Sequence, residues 1–127
     1  MSYTIKNLAE IEDSAPQFGF EGVQEARFAN DALDAESIGF ALLRVKPNCR
    51  QAFAHRHENA EEVYVVISGS GRVKLDDAIE EVGRLDAVRV EATVARQFEA
   101  GDDGLEVLAF GPKHKGDGEL IMEGIFG

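Results

Sequence analysis

Two histidines and a glutamate form the clearest chemical pattern in this chain. His55 and His57 are two positions apart, so in an extended segment both imidazoles project from the same face. Four residues separate His57 from Glu62, and this short polar connection suits a turn between two strands. Two neutral nitrogens and one carboxylate suit a divalent transition metal such as zinc, nickel, manganese or iron. We therefore predict a metal site at His55, His57 and Glu62.

Short apolar segments separated by turn residues fill the chain from residue 38 onward. Such spacing, without a helical period, indicates an antiparallel β-sandwich or barrel, and therefore an all-β fold. Turn chemistry is predicted at Pro47-Asn48, Gly69-Ser70-Gly71, Asp76-Asp77 and residues 101–104. The predicted strands cover residues 38–45, 51–57, 62–68, 72–75, 79–82, 86–90, 95–100 and 105–110.

The pattern divides the chain into three stretches. Residues 1–37 are expected to form an N-terminal arm with an edge strand at residues 24–29, followed by one helical turn or a loop at residues 30–37. Residues 38–112 are expected to form the barrel. Residues 113–127 form a C-terminal tail that is too apolar to be free, so we expect it to pack on the barrel or on a partner subunit. His114, which is flanked by two lysines in this tail, is expected to be solvated.

The segment around the histidines resembles the first signature motif of the cupins, written G(x)5HxH(x)3,4E(x)6G. His55, His57, Glu62 and Gly69 match this motif in type and spacing. Cys49 stands at the position of the leading glycine, and the preceding Asn48 is the better substitute because asparagine tolerates positive φ. The resemblance implies an antiparallel jelly-roll β-barrel with a pocket at one end.

The second cupin motif, G(x)5PxG(x)2H(x)3N, is substituted throughout. In the alignment that keeps the hydrophobic pattern, the five motif positions hold Leu85, Glu91, Thr93, Arg96 and Ala100. Arg96 takes the histidine position, and an arginine cannot ligate a metal because it stays protonated and only donates hydrogen bonds. An alignment anchored on Gly83 would put Val94 there, which cannot ligate either. The resemblance therefore implies a site without its fourth protein ligand.

Three roles for Arg96 stay open at this point. Its guanidinium can pair with Glu62, which needs a positive partner if it is buried. It can instead hold the carboxylate or phosphate of a ligand, or it can face solvent. Gln51 shares the strand face of the two histidines, and Phe53, Tyr64, Phe98 and Phe110 are expected to line or close the barrel interior. The predicted ligand-binding residues are Arg96, Gln51, Tyr64 and Phe98.

Three functions are consistent with these residues. The first is a binding module for a small anionic ligand, with little or no metal. The second, which the resemblance implies, is a metal-dependent dioxygenase or isomerase acting on a small molecule. The third is a scaffold that acts only through its dimer surface. Catalysis and the presence of a metal are both left open, because one barrel supports many chemistries.

Composition and apolar patterning limit the classes of partner and the cellular location that we expect for the protein. The formal net charge of −11 argues against nucleic acid and anionic membranes as partners. No apolar run reaches the roughly 20 residues of a membrane span, and the N-terminus does not resemble a signal peptide, so we expect a cytoplasmic protein. Apolar residues occur on both faces of residues 63–67 and 107–110, which predicts a homodimer. The single Cys49 excludes a disulfide within the chain.

Overall fold

The computed structural model describes residues 2–113 and 116–127 of the chain, so the prediction for His114 lies outside the described residues. All eight strands pair in antiparallel fashion. Two short 3-10 helices, Leu8–Glu10 and Ala15–Phe18, precede them, and the described part of the chain contains no α-helix. The prediction of an all-β antiparallel barrel is confirmed. The strands are β1 (Gln24–Phe28), β2 (Ile38–Val45), β3 (Ala54–His57), β4 (Glu62–Leu75), β5 (Ala78–Gly83), β6 (Ala87–Val90), β7 (Arg96–Pro112) and β8 (Gly118–Ile121).

The long strand β7 joins the two parts of the sheet. It lies in the strand order β1-β2-β7-β3-β8, and it also pairs with β4, which carries β5 and β6. Its backbone pairing with β3 is the single pair of His55 and Arg96. The sheet curls around an apolar core, and the two strands with the predicted metal ligands, β3 and β4, border the same interior. The core includes Val66, Val73, Phe98, Leu105 and Val107.

Two glycine-rich segments that we predicted as turns lie inside β4 and β7, so those two predictions are wrong. The register of β4 against β7 shifts between Gly69 and Gly71, as in a β-bulge. A Cβ atom on Gly69 would lie 2.0 Å from the carbonyl oxygen of Gly104, and one on Gly71 would lie 2.0 Å from that of Glu99. Glycine is therefore needed there because the two backbones approach closely. These segments bend paired strands and do not end them.

Two residues other than glycine, one at a glycine position of the cupin motifs and one next to such a position, adopt the left-handed backbone conformation. Asn48 has a φ of 59°, which confirms the prediction for this residue. Leu85 has a φ of 73° and an exposed side chain. Because Leu85 stands at the first glycine position of the second motif, its conformation supports the alignment that puts Arg96 at the histidine position.

Residues 30–34 form hydrogen-bonded turns. One of them is a single helical turn, in which the backbone N–H of Leu33 donates to the carbonyl oxygen of Ala29 at 3.0 Å, but Asn30 does not cap it, because its Oδ1 accepts the backbone N–H of Phe40. The strand predicted at residues 51–57 is shorter, since β3 begins at Ala54. A single bridge between Arg50 and Glu99 precedes it.

The C-terminal strap, residues 116–127, runs along the outer edge of β3. Its strand β8 pairs with all four residues of β3, from Ala54 to His57. Further on, the backbone N–H of Ile125 donates to Oε1 of Gln97 at 2.9 Å. No helix among the described residues has the length and apolar character needed to span a bilayer.

Candidate metal site and cavity

The structure brings the three predicted metal ligands together. Nε2 of His55 lies 3.4 Å from Oε1 of Glu62, and Nε2 of His57 lies 3.1 Å from the same oxygen. The two imidazole rings are nearly perpendicular, with centroids 5.2 Å apart. β3 places both rings on one face, and Glu62 begins β4 directly after the connecting turn. One potential ligand atom from each residue thus faces a shared space.

The spacing of these atoms fits a transition metal. Ligands at about 2.1 Å from an ion lie about 3.0–3.4 Å apart at octahedral or tetrahedral angles. The separations of 3.1 and 3.4 Å at Glu62 are in that range, and the potential ligand atoms of all three residues lie within 4.8 Å of one another. A set of two histidines and one carboxylate leaves further coordination positions open. The group His55, His57 and Glu62 could therefore hold a metal ion.

Tyr64 completes the cluster from the buried side. Its hydroxyl donates a hydrogen bond to Oε1 of Glu62 at 2.5 Å and lies 3.3 Å from Nε2 of His55. Burial raises the pKa of Tyr64 well above its ordinary value, and the charge of Glu62 acts in the same direction. The phenol therefore keeps its proton at neutral pH and remains a donor.

The charge states of the ligands suit metal binding. Burial acts to raise the pKa of Glu62, but hydrogen bonds with His55 and Tyr64 and the charges of the two histidines lower it to about 2. Burial lowers the pKa of His57, and the carboxylate of Glu62 offsets part of this effect. Near neutral pH the site thus offers an ionised carboxylate and a neutral imidazole at His57, the forms that bind metals.

Arg96 lies behind the cluster. Its side chain is fully buried, with Nη1 3.9 Å from Oε1 of Glu62, and Nη2 donates to the carbonyl oxygen of Glu91 at 3.1 Å. The alternative in which Arg96 faces solvent is therefore wrong. Neither Arg96 nor Phe98 lines the cavity described below. Phe98 packs in the core against Tyr64, with ring centroids 5.2 Å apart. Ligand binding by these two residues stays a prediction.

A cavity of about 330 Å³ adjoins the cluster. The predicted residues Gln51 and Tyr64 line it together with the three potential metal ligands. The expectation for Phe110 is wrong, because its neighbours in β7, Ala109 and Gly111, face the cavity instead. Phe110 stacks on Phe40 at 4.8 Å and is partly exposed. Other lining residues include Gln24, Ala26, Phe28, Asn30, Leu43, Phe53 and Leu120.

Two polar residues near the site were missed by the sequence analysis. Gln24, on β1, accepts the backbone N–H of Ala52 through Oε1 at 2.8 Å. Asp117, before β8, is buried next to His57. Burial acts to raise the pKa of Asp117, but hydrogen bonds from three backbone N–H groups lower it below its ordinary value. Both residues lie outside the histidine motif, and in a chain rich in acidic residues no local signal singles out this aspartate.

Comparison with known proteins agrees with the observed fold. Residues 41–111 match the Cupin_2 family model, described as a cupin domain. This chain belongs to the cupin family. The matched residues include the potential metal ligands His55, His57 and Glu62 and most of the barrel. No curated protein sequence matches the chain.

Solved cupin structures share the fold at low sequence identity. A cupin protein from Bacteroides fragilis is 20% identical with a TM-score of 0.71, and the match covers 91% of this chain and 88% of that one. Oxalate decarboxylase from Bacillus subtilis is 21% identical with a TM-score of 0.73, covering 91% of this chain but 32% of that enzyme. A further structure of that decarboxylase, described by its Mn(II) centres, is 20% identical with a TM-score of 0.67, covering 76% and 28%. This cupin spans about a third of the decarboxylase. At these identities the likeness shows the fold alone.

Proposed function

We propose that this cupin binds a divalent transition metal through Nε2 of His55, Nε2 of His57 and Oε1 of Glu62, and a small molecule in the adjoining cavity. The observation that carries the proposal is the convergence of these three atoms at metal-ligand spacing beside a cavity of about 330 Å³. Zinc, nickel, manganese and iron all suit this donor set. Manganese is the first to test, because the fold-related oxalate decarboxylase has Mn(II) centres.

A bound ion would act as a Lewis acid that polarises an oxygen of the small molecule. The chain's own groups would set the surroundings of that oxygen. Tyr64 keeps its hydroxyl proton and donates a hydrogen bond to Glu62. The positive charge of Arg96 balances the buried carboxylate from behind. A metal-dependent dioxygenase or isomerase is compatible with this arrangement.

Two glutamines indicate the kind of molecule that the cavity would take. Oε1 of Gln51 accepts the backbone N–H of Phe98 at 2.9 Å, as Oε1 of Gln24 accepts that of Ala52. A backbone N–H can only donate, so the side-chain atom that faces it must be the oxygen. The amide nitrogens are therefore directed elsewhere, and both residues line the cavity. We propose that they donate to an oxygen of the small molecule, such as a carbonyl or carboxylate.

A second candidate function, a binding module without metal, is favoured by one observation. Glu62 already accepts a hydrogen bond from Tyr64 and lies 3.9 Å from Nη1 of Arg96. These partners stabilise the buried carboxylate without a metal ion. In this case the same cavity would bind the small molecule through hydrogen bonds with the histidines and glutamines.

A measurement of metal binding distinguishes the two candidate functions. Protein purified without chelator is analysed for metal content, and metal-free protein is titrated with Mn²⁺ and Zn²⁺ by calorimetry. We expect one ion per chain and its loss in His55→Ala and His57→Ala. Gln51→Ala is the matched control, because Gln51 lines the same cavity but its side-chain oxygen already accepts the backbone N–H of Phe98. Equal binding by the histidine variants, or no binding by the native protein, would contradict the metal-binding function.

We also propose a homodimer through the outer face of β2, β4 and β7. Phe110 on β7 is paired with Phe40 on β2 and with Val63 on β4, so these three apolar residues are neighbours on this face. Ile38, two residues before Phe40 on β2, lies on the same face. Ile38 and Phe110 are exposed apolar residues. Light scattering at micromolar concentration is expected to give twice the mass of one chain, and Phe110→Asp to reduce it to one. The mass of a single chain for the native protein would contradict the dimer.

A further inference from the structure

A carboxylate from the C-terminal strap holds the turn between the two ligand-bearing strands. Oδ1 of Asp117 accepts the backbone N–H of Glu58 at 2.7 Å and of Asn59 at 3.0 Å, and Oδ2 accepts that of Ala60 at 2.9 Å. The side chain of Asp117 is only 4% exposed. Three backbone donors on one buried carboxylate fix its position relative to the turn.

The same carboxylate faces one of the proposed metal ligands. Oδ2 of Asp117 lies 3.7 Å from Nδ1 of His57. This nitrogen is buried and has no hydrogen-bond partner among the residues that the structure describes. Gly118 is paired with His57 across β3 and β8, and a Cβ atom on Gly118 would lie 3.6 Å from Cε1 of the imidazole. The strap therefore packs against the Nδ1–Cε1 edge of the ring, whereas Nε2 faces Glu62.

Metal binding at Nε2 of His57 would determine the protonation state of Nδ1. A neutral imidazole that ligates through Nε2 carries its proton on Nδ1. A buried N–H without an acceptor is costly, so this proton needs an oxygen nearby. Asp117 supplies that oxygen, and an approach of less than about 1 Å would bring the pair to hydrogen-bond distance.

We propose that Asp117 is a positioning residue of the metal site, which accepts the Nδ1 proton of His57 and so directs Nε2 towards Glu62. The inference rests on the proposed metal binding. It extends the site beyond the matched cupin domain of residues 41–111, because the C-terminal strap becomes part of the support of a metal ligand. Partners of this kind fix the tautomer and orientation of ligating histidines.

The test is the metal affinity of Asp117→Asn. Asparagine keeps one oxygen for the turn, but its amide group replaces an acceptor with a donor where Nδ1 of His57 needs an acceptor. We expect the affinity for Zn²⁺ and Mn²⁺ to fall by about 10- to 100-fold. In the zinc-loaded protein, nitrogen-15 NMR is expected to show a slowly exchanging Nδ1 proton on His57, and faster exchange in the variant. Should the variant not fold, Asp117→Glu, which displaces the carboxylate by one methylene, is expected to lower the affinity as well.

Asp13→Asn is the matched control. Oδ1 of Asp13 accepts the backbone N–H of Ala15 at 3.0 Å and of Ala26 at 2.9 Å, so it also joins two segments of the chain. This variant is expected to lower the melting temperature but to leave zinc affinity and the His57 proton unchanged. If Asp117→Asn bound zinc as tightly as the native protein, or if Asp13→Asn lost as much zinc affinity as Asp117→Asn, the positioning role of Asp117 would be overturned. The proposed metal-binding function would not be affected by either result. Absence of binding in the native protein would overturn both this role and the proposed function.

Discussion

Two glutamates in this barrel are each held by two nitrogen-containing side chains, yet their surroundings differ. Glu62 contacts two histidines beside the cavity. Glu99 contacts two arginines: Oε1 accepts from Nε and Nη2 of Arg72 at 2.9 and 2.7 Å, and Oε2 accepts from Nε of Arg50 at 2.5 Å. The hydrogen bond from Arg50 lowers the pKa of Glu99, burial acts to raise it, and Arg72 lowers it further. Both carboxylates are therefore ionised at neutral pH.

The difference lies in what the partners can do. An imidazole has a lone pair for a cation, whereas a guanidinium has only donors and a permanent charge. The C-terminal strap also covers the Glu99 group, because Phe126 lies with its ring centroid 4.7 Å from Arg50 Cζ and 5.5 Å from Arg72 Cζ. A carboxylate between two basic side chains thus forms a candidate metal site only where those side chains have lone pairs and the group borders an open cavity. At Glu99 the same residue type joins the strap to the barrel.

The largest expected effect comes from neutralising each glutamate in turn. Glu62→Gln removes the anionic ligand and is expected to weaken Mn²⁺ and Zn²⁺ binding by more than about a hundredfold, since even partners outside the ligand set contribute about 10- to 100-fold. Glu99→Gln makes the same chemical change among the arginines and is expected to leave the affinity unchanged. Calorimetric titration of both variants measures the contrast. Equal losses would mean that overall charge, and not ligation, determines binding.

The second largest expected effect is the contribution of Glu62 to the stability of the protein in acid. The pKa of Glu62 is about 2 in the folded protein against an ordinary 4.5, so the unfolded chain takes up the proton first as the pH falls. The stabilisation by Glu62 is therefore present above about pH 4.5 and is lost towards pH 2, up to roughly 3 kcal/mol for a shift of this size. Urea unfolding of the metal-free protein between pH 5.5 and 2.5 measures it. Glu62→Gln is expected to flatten this dependence, and a curve parallel to that of the native protein would show that other groups cause it.

Local features of the sequence were sufficient to predict that His55, His57 and Glu62 form a cluster, and to predict the fold class. His55 and His57 share a face because of the two-residue period of a strand, and only a short turn separates them from Glu62. The positive φ of Asn48 was also predictable from local sequence, because asparagine itself tolerates this backbone conformation. Such predictions need no knowledge of distant parts of the chain.

Features that depend on distant segments could not be predicted. Gly69 and Gly71 resemble turn residues in the sequence, and only the paired strand β7 shows why glycine is required inside β4. Gln24 and Asp117 come from opposite ends of the chain, and no spacing rule connects either of them with the histidines. The members of the His55, His57 and Glu62 cluster could therefore be predicted from local sequence, whereas the residues that support the cluster could be found only in the tertiary structure.

The smallest expected effect concerns the stability that Glu99 gives to the strap. Arg50 and Arg72 are 49% and 42% exposed, so solvent screens the pairs and Glu99→Gln is expected to cost about 1 kcal/mol of unfolding free energy. The loss should shrink between 0.1 and 1 M salt, where the screening length falls from about 10 to about 3 Å. Urea unfolding at the two salt concentrations measures it, with Glu119→Gln as a control for a more exposed pair with Arg56. A cost that does not change with salt would contradict this account, since it would mean that the arginines act through packing against Phe126 and not through charge.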